Sequence, residues 1–203
     1  MMPFLRKYWP VVLMVVFFLG YFLTRPHAYY GDAVQPPQPT QGFTLQSASG
    51  PVSLDDFKGK YVLLYYGYTN CPEICPTTMN TIARAYGLLG GLAGQLQTVM
   101  VSVDPARDTP EKLAEYVSVF DPTFVGVTGS KDQIDALTQA NGIYYKIDPE
   151  GKGGSDYEVD HTASLQVLDP AGRLVLLIPY GNTAEQIADD LAYLLAHPEE
   201  TQP

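Results

Sequence analysis

The run Tyr61 to Tyr66, YVLLYY, has no polar face, and this excludes a sheet with one side open to water at that point. A strand apolar on both sides has to be covered on both sides, so it belongs at the centre of a layered domain. A short loop carrying Cys71 and Cys75 follows. Then Met79, Ile82, Tyr86 and Leu89 recur at helical spacing until Gly90 and Gly91 stop the run, and Pro76 suits the first helical position. Met79 and Tyr86 read as core residues.

The same alternation continues along the chain. Thr98 to Val103 reads as a second buried strand ended by Asp104-Pro105. Thr109 caps a helix that Pro110 opens and that Leu113, Val117 and Phe120 bury. Phe124 to Val127 gives a third strand, and Ser130 with Gln133 stand at capping-box spacing ahead of Ile134 and Leu137, with Asn141-Gly142 closing that helix. A further strand includes Tyr144 to Ile147. Leu165 to Leu168 and Arg173 to Ile178 flank Asp169-Pro170-Ala171-Gly172, a turn sequence, and predict a hairpin. Asn182 is expected to cap a last helix with Glu185 at its third position and Ile187, Leu191, Leu194 and Leu195 on its apolar stripe. Upstream, Phe43 to Leu54 reads as a short hairpin around Gly50-Pro51. With 203 residues, 46% of them hydrophobic, one medium domain with an appendage is expected. Its class is α/β: a mixed central sheet flanked by helices, of which the thioredoxin-like layout is one member. No repeat period is present.

The appendage is N-terminal. From Trp9 to Leu23 no residue is charged, but as a helix this stretch reaches only about 22 Å, short of a hydrocarbon core of about 30 Å. A cleaved signal peptide therefore competes with a retained anchor. Tyr8, Trp9, Tyr21 and Phe22 at the ends and poor cleavage sites favour the anchor, with Arg6 and Lys7 on the cytoplasmic side. The expected organisation is an anchor or uncleaved signal over 1–24, a proline-rich tether over 25–41, the folded domain over 42–197 and a tail over 198–203. The expected location is the cytoplasmic membrane, single-pass, with the domain outside the cytoplasm. A formal charge of -10 argues against nucleic acid as a partner.

Chemistry concentrates in Tyr66-Gly-Tyr-Thr-Asn-Cys-Pro-Glu-Ile-Cys-Pro76, between the central strand and a helix start. Prolines after both cysteines steer them away from helical angles. The helix N-terminus favours thiolate, which prepares Cys75 in particular for metal ligation or exchange. Two cysteines are too few for a four-thiolate zinc or iron-sulfur site. Three readings stay open: a soft-metal site, since two thiolates select ions such as Cu(I); a redox dithiol; and a structural disulfide, which so short a loop disfavours. For the redox reading, three intervening residues depart from the thioredoxin spacing of two, and His161-Thr-Ala lacks a proline where thioredoxins commonly have one. Of the three histidines, His27 falls in the tether and His197 in the tail. His161 is left as a third ligand, with Asp160 placed to orient its ring, provided the sheet brings residue 161 to residues 71 and 75.

The segment Gly67-Tyr-Thr-Asn-Cys-Pro-Glu-Ile-Cys-Pro-Thr-Thr78 resembles the cysteine signature of the Sco/SenC copper-delivery proteins, with Asn70 where His is frequent and Glu73 where Asp is frequent. Val101 to Pro110, VSVDPARDTP, resembles the family's second block, and Val159-Asp-His-Thr-Ala163 its histidine block. The resemblance spans about Phe43 to Leu195. It implies a thioredoxin-like fold, a membrane anchor, and copper, Cu(I) or Cu(II), held by Cys71, Cys75 and His161. It also implies a role in supplying copper to the dinuclear copper centre of cytochrome c oxidase subunit II or another copper acceptor, or in keeping that centre's cysteines reduced as a thiol-disulfide oxidoreductase. In the latter role Cys71 and Cys75 would be the catalytic pair. A periplasmic copper donor or thiol reductant would be a further partner. Asp104 and Asp108 read as turn residues rather than ligands, and Met79 and Met100 stay in the core.

Overall fold

The computed structural model describes residues 4–23, 27–147 and 157–198. In chain order the elements are α1 (Phe4–Leu23), β1 (Asp32–Pro39), β2 (Thr44–Ser47), β3 (Gly50–Ser53), β4 (Tyr61–Gly67), α2 (Ile74–Leu89), β5 (Leu96–Ser102), α3 (Pro110–Ser118), β6 (Val125–Val127), α4 (Lys131–Ala140), β7 (Tyr145–Ile147), β8 (Val159–His161), β9 (Leu165–Leu168), β10 (Arg173–Ile178) and α5 (Ala184–Ala196). The main sheet runs β1-β10-β9-β4-β5-β6, and β2-β3 and β7-β8 form two small hairpin sheets. β4 pairs parallel with β5 and antiparallel with β9, so the sheet is mixed and the YVLLYY strand lies inside it. Every residue of β4 and β5 is buried, as a strand without a polar face demands. α2 and α5 pack on one another, and α3 lies against β6.

Local signals place most helix ends. Thr109 accepts from the Lys112 N–H and Pro110 opens α3, while Ser130 and Gln133 cap α4 reciprocally. Two helix starts differ from expectation. α5 is capped by Thr183 with Gln186 as its reciprocal partner, one residue beyond Asn182 and Glu185, and the Ile187, Leu191, Leu194 face is unaffected. α2 opens at Ile74 instead of Pro76, so Cys75 is helical despite the proline after it. Within the first turn the missing Pro76 N–H has no intrahelical acceptor to forgo.

β1 lies within the stretch expected to be a tether. Asp32–Pro39 pairs antiparallel with β10 at the sheet edge, with a register shift between Ala33 and Gln38 that carries Pro36 and Pro37 past the ladder. The backbone is extended, as its prolines predict, but it is docked over those residues. Of the expected anchor, tether and tail, residues 1–3, 24–26 and 199–203 lie outside the described residues.

The expected location does not stand. Among the described residues no helix is long and apolar enough to cross a membrane. α1 has 20 residues, but Arg6, Lys7 and Pro10 fall in its first two turns. What remains from Trp9 is a stretch of about 22 Å, too short for the hydrocarbon core. A single-pass anchor through α1, and the membrane partner and placement drawn from it, are withdrawn.

Candidate metal centre

The loop from Tyr68 to Glu73 leaves the end of β4 and feeds the first turn of α2. There the Cys75 N–H donates to the Cys71 Sγ at 3.4 Å, and the Cys71 N–H donates to the Tyr68 carbonyl at 3.4 Å. Cys71 is half-buried, Cys75 is wholly buried, and both are free thiols. His161 ends β8, and its Nε2 lies 3.4 Å from the Cys75 Sγ. The two sulfurs and a ring nitrogen thus come within 4.8 Å of one another, although 86 residues separate Cys75 from His161. Cys71, His161, Tyr68 and Tyr144 line an open cleft of about 390 Å³ at this point.

The ring's tautomer follows from its other nitrogen. Nδ1 lies 3.1 Å from the Thr162 carbonyl, which can only accept, so in the neutral ring Nδ1 carries the proton and Nε2 turns a lone pair toward Cys75. This backbone group takes the orienting part expected of Asp160. Asp160 is exposed in the β7-β8 ladder opposite Lys146, on the strand face opposite that of its neighbour His161.

Two buried aspartates hold the halves of the centre together. Asp108, 1% exposed, accepts from the Thr69 N–H at 2.9 Å, the Thr69 hydroxyl at 2.5 Å and the Ser102 hydroxyl at 2.7 Å, with Lys112 Nζ at 3.4 Å. It fastens the cysteine loop to β5 and α3. Asp104, fully buried, accepts from Arg107 Nε at 2.5 Å and from the Tyr157 hydroxyl at 2.6 Å. Arg107 lies 3.5 Å over the Tyr157 ring and donates to the Tyr157 carbonyl at 2.9 Å. The strand that carries His161 is thereby tied to the same turn as the cysteine loop. Tyr68 closes the link directly, its hydroxyl accepting from the Val159 N–H at 3.3 Å. The turn VSVDPARDTP is thus the scaffold of the centre. The reading of Asp104 and Asp108 as turn residues missed this because their partners, Tyr157 and Thr69, lie 53 and 39 residues away.

The sulfurs share their protons unequally. The hydrogen bond from the Cys75 side chain, helped by the Cys75 and Glu73 backbone, outweighs burial at Cys71 and holds its thiol well below the ordinary value of 9.0. The contact with Cys71, together with burial, pushes Cys75 up. The pair therefore keeps one proton on the buried sulfur and one thiolate on the half-buried one. Beside them the Tyr65 hydroxyl is buried without a hydrogen-bond partner, and burial with the adjacent Cys75 sulfur drives its phenol well above the ordinary range. A thiolate at Cys75 would give that O–H the acceptor it lacks. The sequence offered no signal for this, because Tyr65 reads as one more core aromatic.

The unequal pair has a measurable consequence. Iodoacetamide should label Cys71 ahead of Cys75, at a rate that climbs with pH less steeply than an ordinary thiol's, since the Cys71 thiol is held below the ordinary range. A rate rising about tenfold per pH unit toward pH 9, as for an ordinary thiol, would contradict the assignment.

Comparison with known proteins converges on one family. A SCO1/SenC family model matches residues 32–196. Over 158 residues the chain is 34% identical to Protein sco1 of Schizosaccharomyces pombe, covering 75% of this chain and 59% of that one. The solution structures of apo Sco1 from Thermus thermophilus superpose with a TM-score of 0.75 at 38% identity, covering 83% of this chain and 98% of theirs. Bradyrhizobium japonicum ScoI, solved with copper bound, superposes with a TM-score of 0.69 at 34% identity, covering 76% and 98%. The chain spans only about 59% of the fission-yeast relative's length.

Proposed function

The chain belongs to the SCO1/SenC family, and on that premise we propose that it carries copper, held as Cu(I) by Cys71, Cys75 and His161, to an acceptor protein. The observation that carries the reading is the approach of two sulfurs and one imidazole nitrogen to within 4.8 Å. Two polarisable sulfurs and a neutral nitrogen suit a soft monovalent ion of low coordination number. The acceptor that fits is the dinuclear copper centre of cytochrome c oxidase subunit II, with a separate copper donor upstream. The carrying unit is the folded domain, expected over 42–197, with β1 added to its sheet edge.

The proton arrangement supports uptake and release. Cys71 enters as a thiolate and Nε2 with a free lone pair, so binding near neutral pH displaces mainly the one proton on Cys75. The open cleft beside Cys71 and His161 gives an incoming ligand access to the ion, and transfer then needs only ligand exchange. The same pair also supports a second reading, reduction of the acceptor's disulfide: Cys71, the half-buried thiolate, attacks one sulfur to form a mixed disulfide. That attack releases the acceptor's other sulfur as a thiolate, which takes the Cys75 proton. Cys75 then attacks the Cys71 sulfur and releases the second acceptor thiolate, protonated by water, leaving Cys71-Cys75 oxidised and the acceptor as a dithiol.

A Cu(I) titration of the reduced full chain against a competing chelator, run beside His161→Ala, tests the carrier. The variant should bind at least about tenfold more weakly, a loss at the lower end of what altered metal surroundings cost. Equal affinity in both proteins would remove the histidine from the site and undo the proposal.

A further inference from the structure

A second cluster of metal-binding side chains lies away from the cysteines, where the segment entering β1 meets α5. His27 Nε2 lies 3.6 Å from Asp190 Oδ1 and 4.0 Å from Asp189 Oδ2, and one ligand atom from each residue falls within a common 4.8 Å. Both distances are too long for a hydrogen bond, and Nε2 is buried without a hydrogen-bond partner. They are close to the separation of about 3.3 Å that tetrahedral geometry sets between donors each about 2.0 to 2.1 Å from a shared zinc ion.

The ligands are held in place beforehand. The fully buried Asp190 carboxylate accepts the Tyr30 N–H on Oδ1 at 3.0 Å and the Gly31 N–H on Oδ2 at 2.9 Å, so its oxygens are fixed by backbone and keep lone pairs to spare. The His27 ring stacks on Tyr193 at 4.0 Å between centroids and meets Tyr29 edge-on at 4.7 Å. Asp189 is 59% exposed, so its side chain has room to rotate inward and shorten the 4.0 Å separation from Nε2. Held ligands and one adjustable ligand describe a site whose supporting shell is already made.

We propose that His27, Asp189 and Asp190 form a second metal site, for a borderline divalent cation of the zinc class, which ties residues 27–31 to α5. One imidazole and two carboxylates without a thiolate do not suit Cu(I), so the two sites would sort ions by softness. A buried carboxylate calls for a cation, and an ion shared with the imidazole supplies one.

The test uses the full chain carrying Cys71→Ser and Cys75→Ser, which removes the thiolates, and Zn²⁺ alone as the probe. Calorimetry should show one saturable Zn²⁺ site and a zinc-dependent rise in Tm. Both should fall at least about tenfold, or vanish, in His27→Gln and in the exposed variant Asp189→Asn. Absence of saturable binding, or binding that neither substitution alters, would overturn the proposal.

Discussion

Cys75→Ser in the reduced full chain is expected to abolish retention of Cu(I) against a chelator that the unaltered protein resists. The loss should exceed the roughly 100-fold cost of disturbing a residue behind the ligands, because a soft ligand is replaced by a hydroxyl that stays protonated. Cys71→Ser should be as damaging, since it removes the resident thiolate. The fold should survive both changes. Serine is smaller than cysteine, and the buried hydroxyl at position 75 can still donate to His161 Nε2, which now lies 3.4 Å from the sulfur. Circular dichroism and Tm close to those of the parent, with copper lost, is the expected pair of readings. Copper retained by either variant would show that the CxxxC pair does not grip the ion.

Asp108→Ala is expected to produce the largest loss of stability of any single change at the centre, on the order of 3 to 5 kcal/mol. The carboxylate is 1% exposed, and its removal strands the Thr69 N–H and the Ser102 hydroxyl, although Lys112 keeps its bonds to Asn70 Oδ1 and the Arg107 carbonyl. For a chain of this size the Tm should fall by about 10 °C. Asp135→Ala is the matching control. Its carboxylate is 43% exposed, pairs with Lys131 along α4 and accepts from the Tyr145 hydroxyl, so its loss should cost about 1 to 2 kcal/mol, less than that of the buried Asp108. Denaturant unfolding of the three proteins checks the order. Asp108→Ala and Asp135→Ala of equal stability would mean that the buried turn is not the scaffold described.

Much of the fold is legible wherever chemistry between near neighbours decides it. The β9-β10 hairpin has the boundaries its sequence predicts, because Asp169 accepts from the Ala171 and Arg173 N–H groups and Gly172 adopts φ 80°. Thr109 with Pro110 and Ser130 with Gln133 likewise fix their helix starts from three or four residues. β1 reads as a tether because prolines are poor strand residues. Its place depends on β10, more than a hundred residues away, which offers an edge where missing N–H groups cost little.

The centre divides in the same way. The cysteine pair and its position between strand and helix can be read directly, and His161 follows from the limited choice of histidines and the family's histidine block. The means of their convergence cannot be read. Arg107, Asp104 and Tyr157 act across about fifty residues, and the Thr162 carbonyl, a backbone group that leaves no mark in sequence, does what is expected of Asp160. α1 shows the converse: a charge-free stretch suggests an anchor, but its length does not reach across a bilayer.

The central claim is that two sulfurs and one imidazole share a single ion, and X-ray absorption at the copper edge of the reduced, Cu(I)-loaded chain tests it most directly. The account predicts two sulfur scatterers and one imidazole nitrogen, with the outer-shell imidazole signal lost in His161→Ala. Two sulfurs with no imidazole, or a spectrum that His161→Ala leaves unchanged, would contradict it.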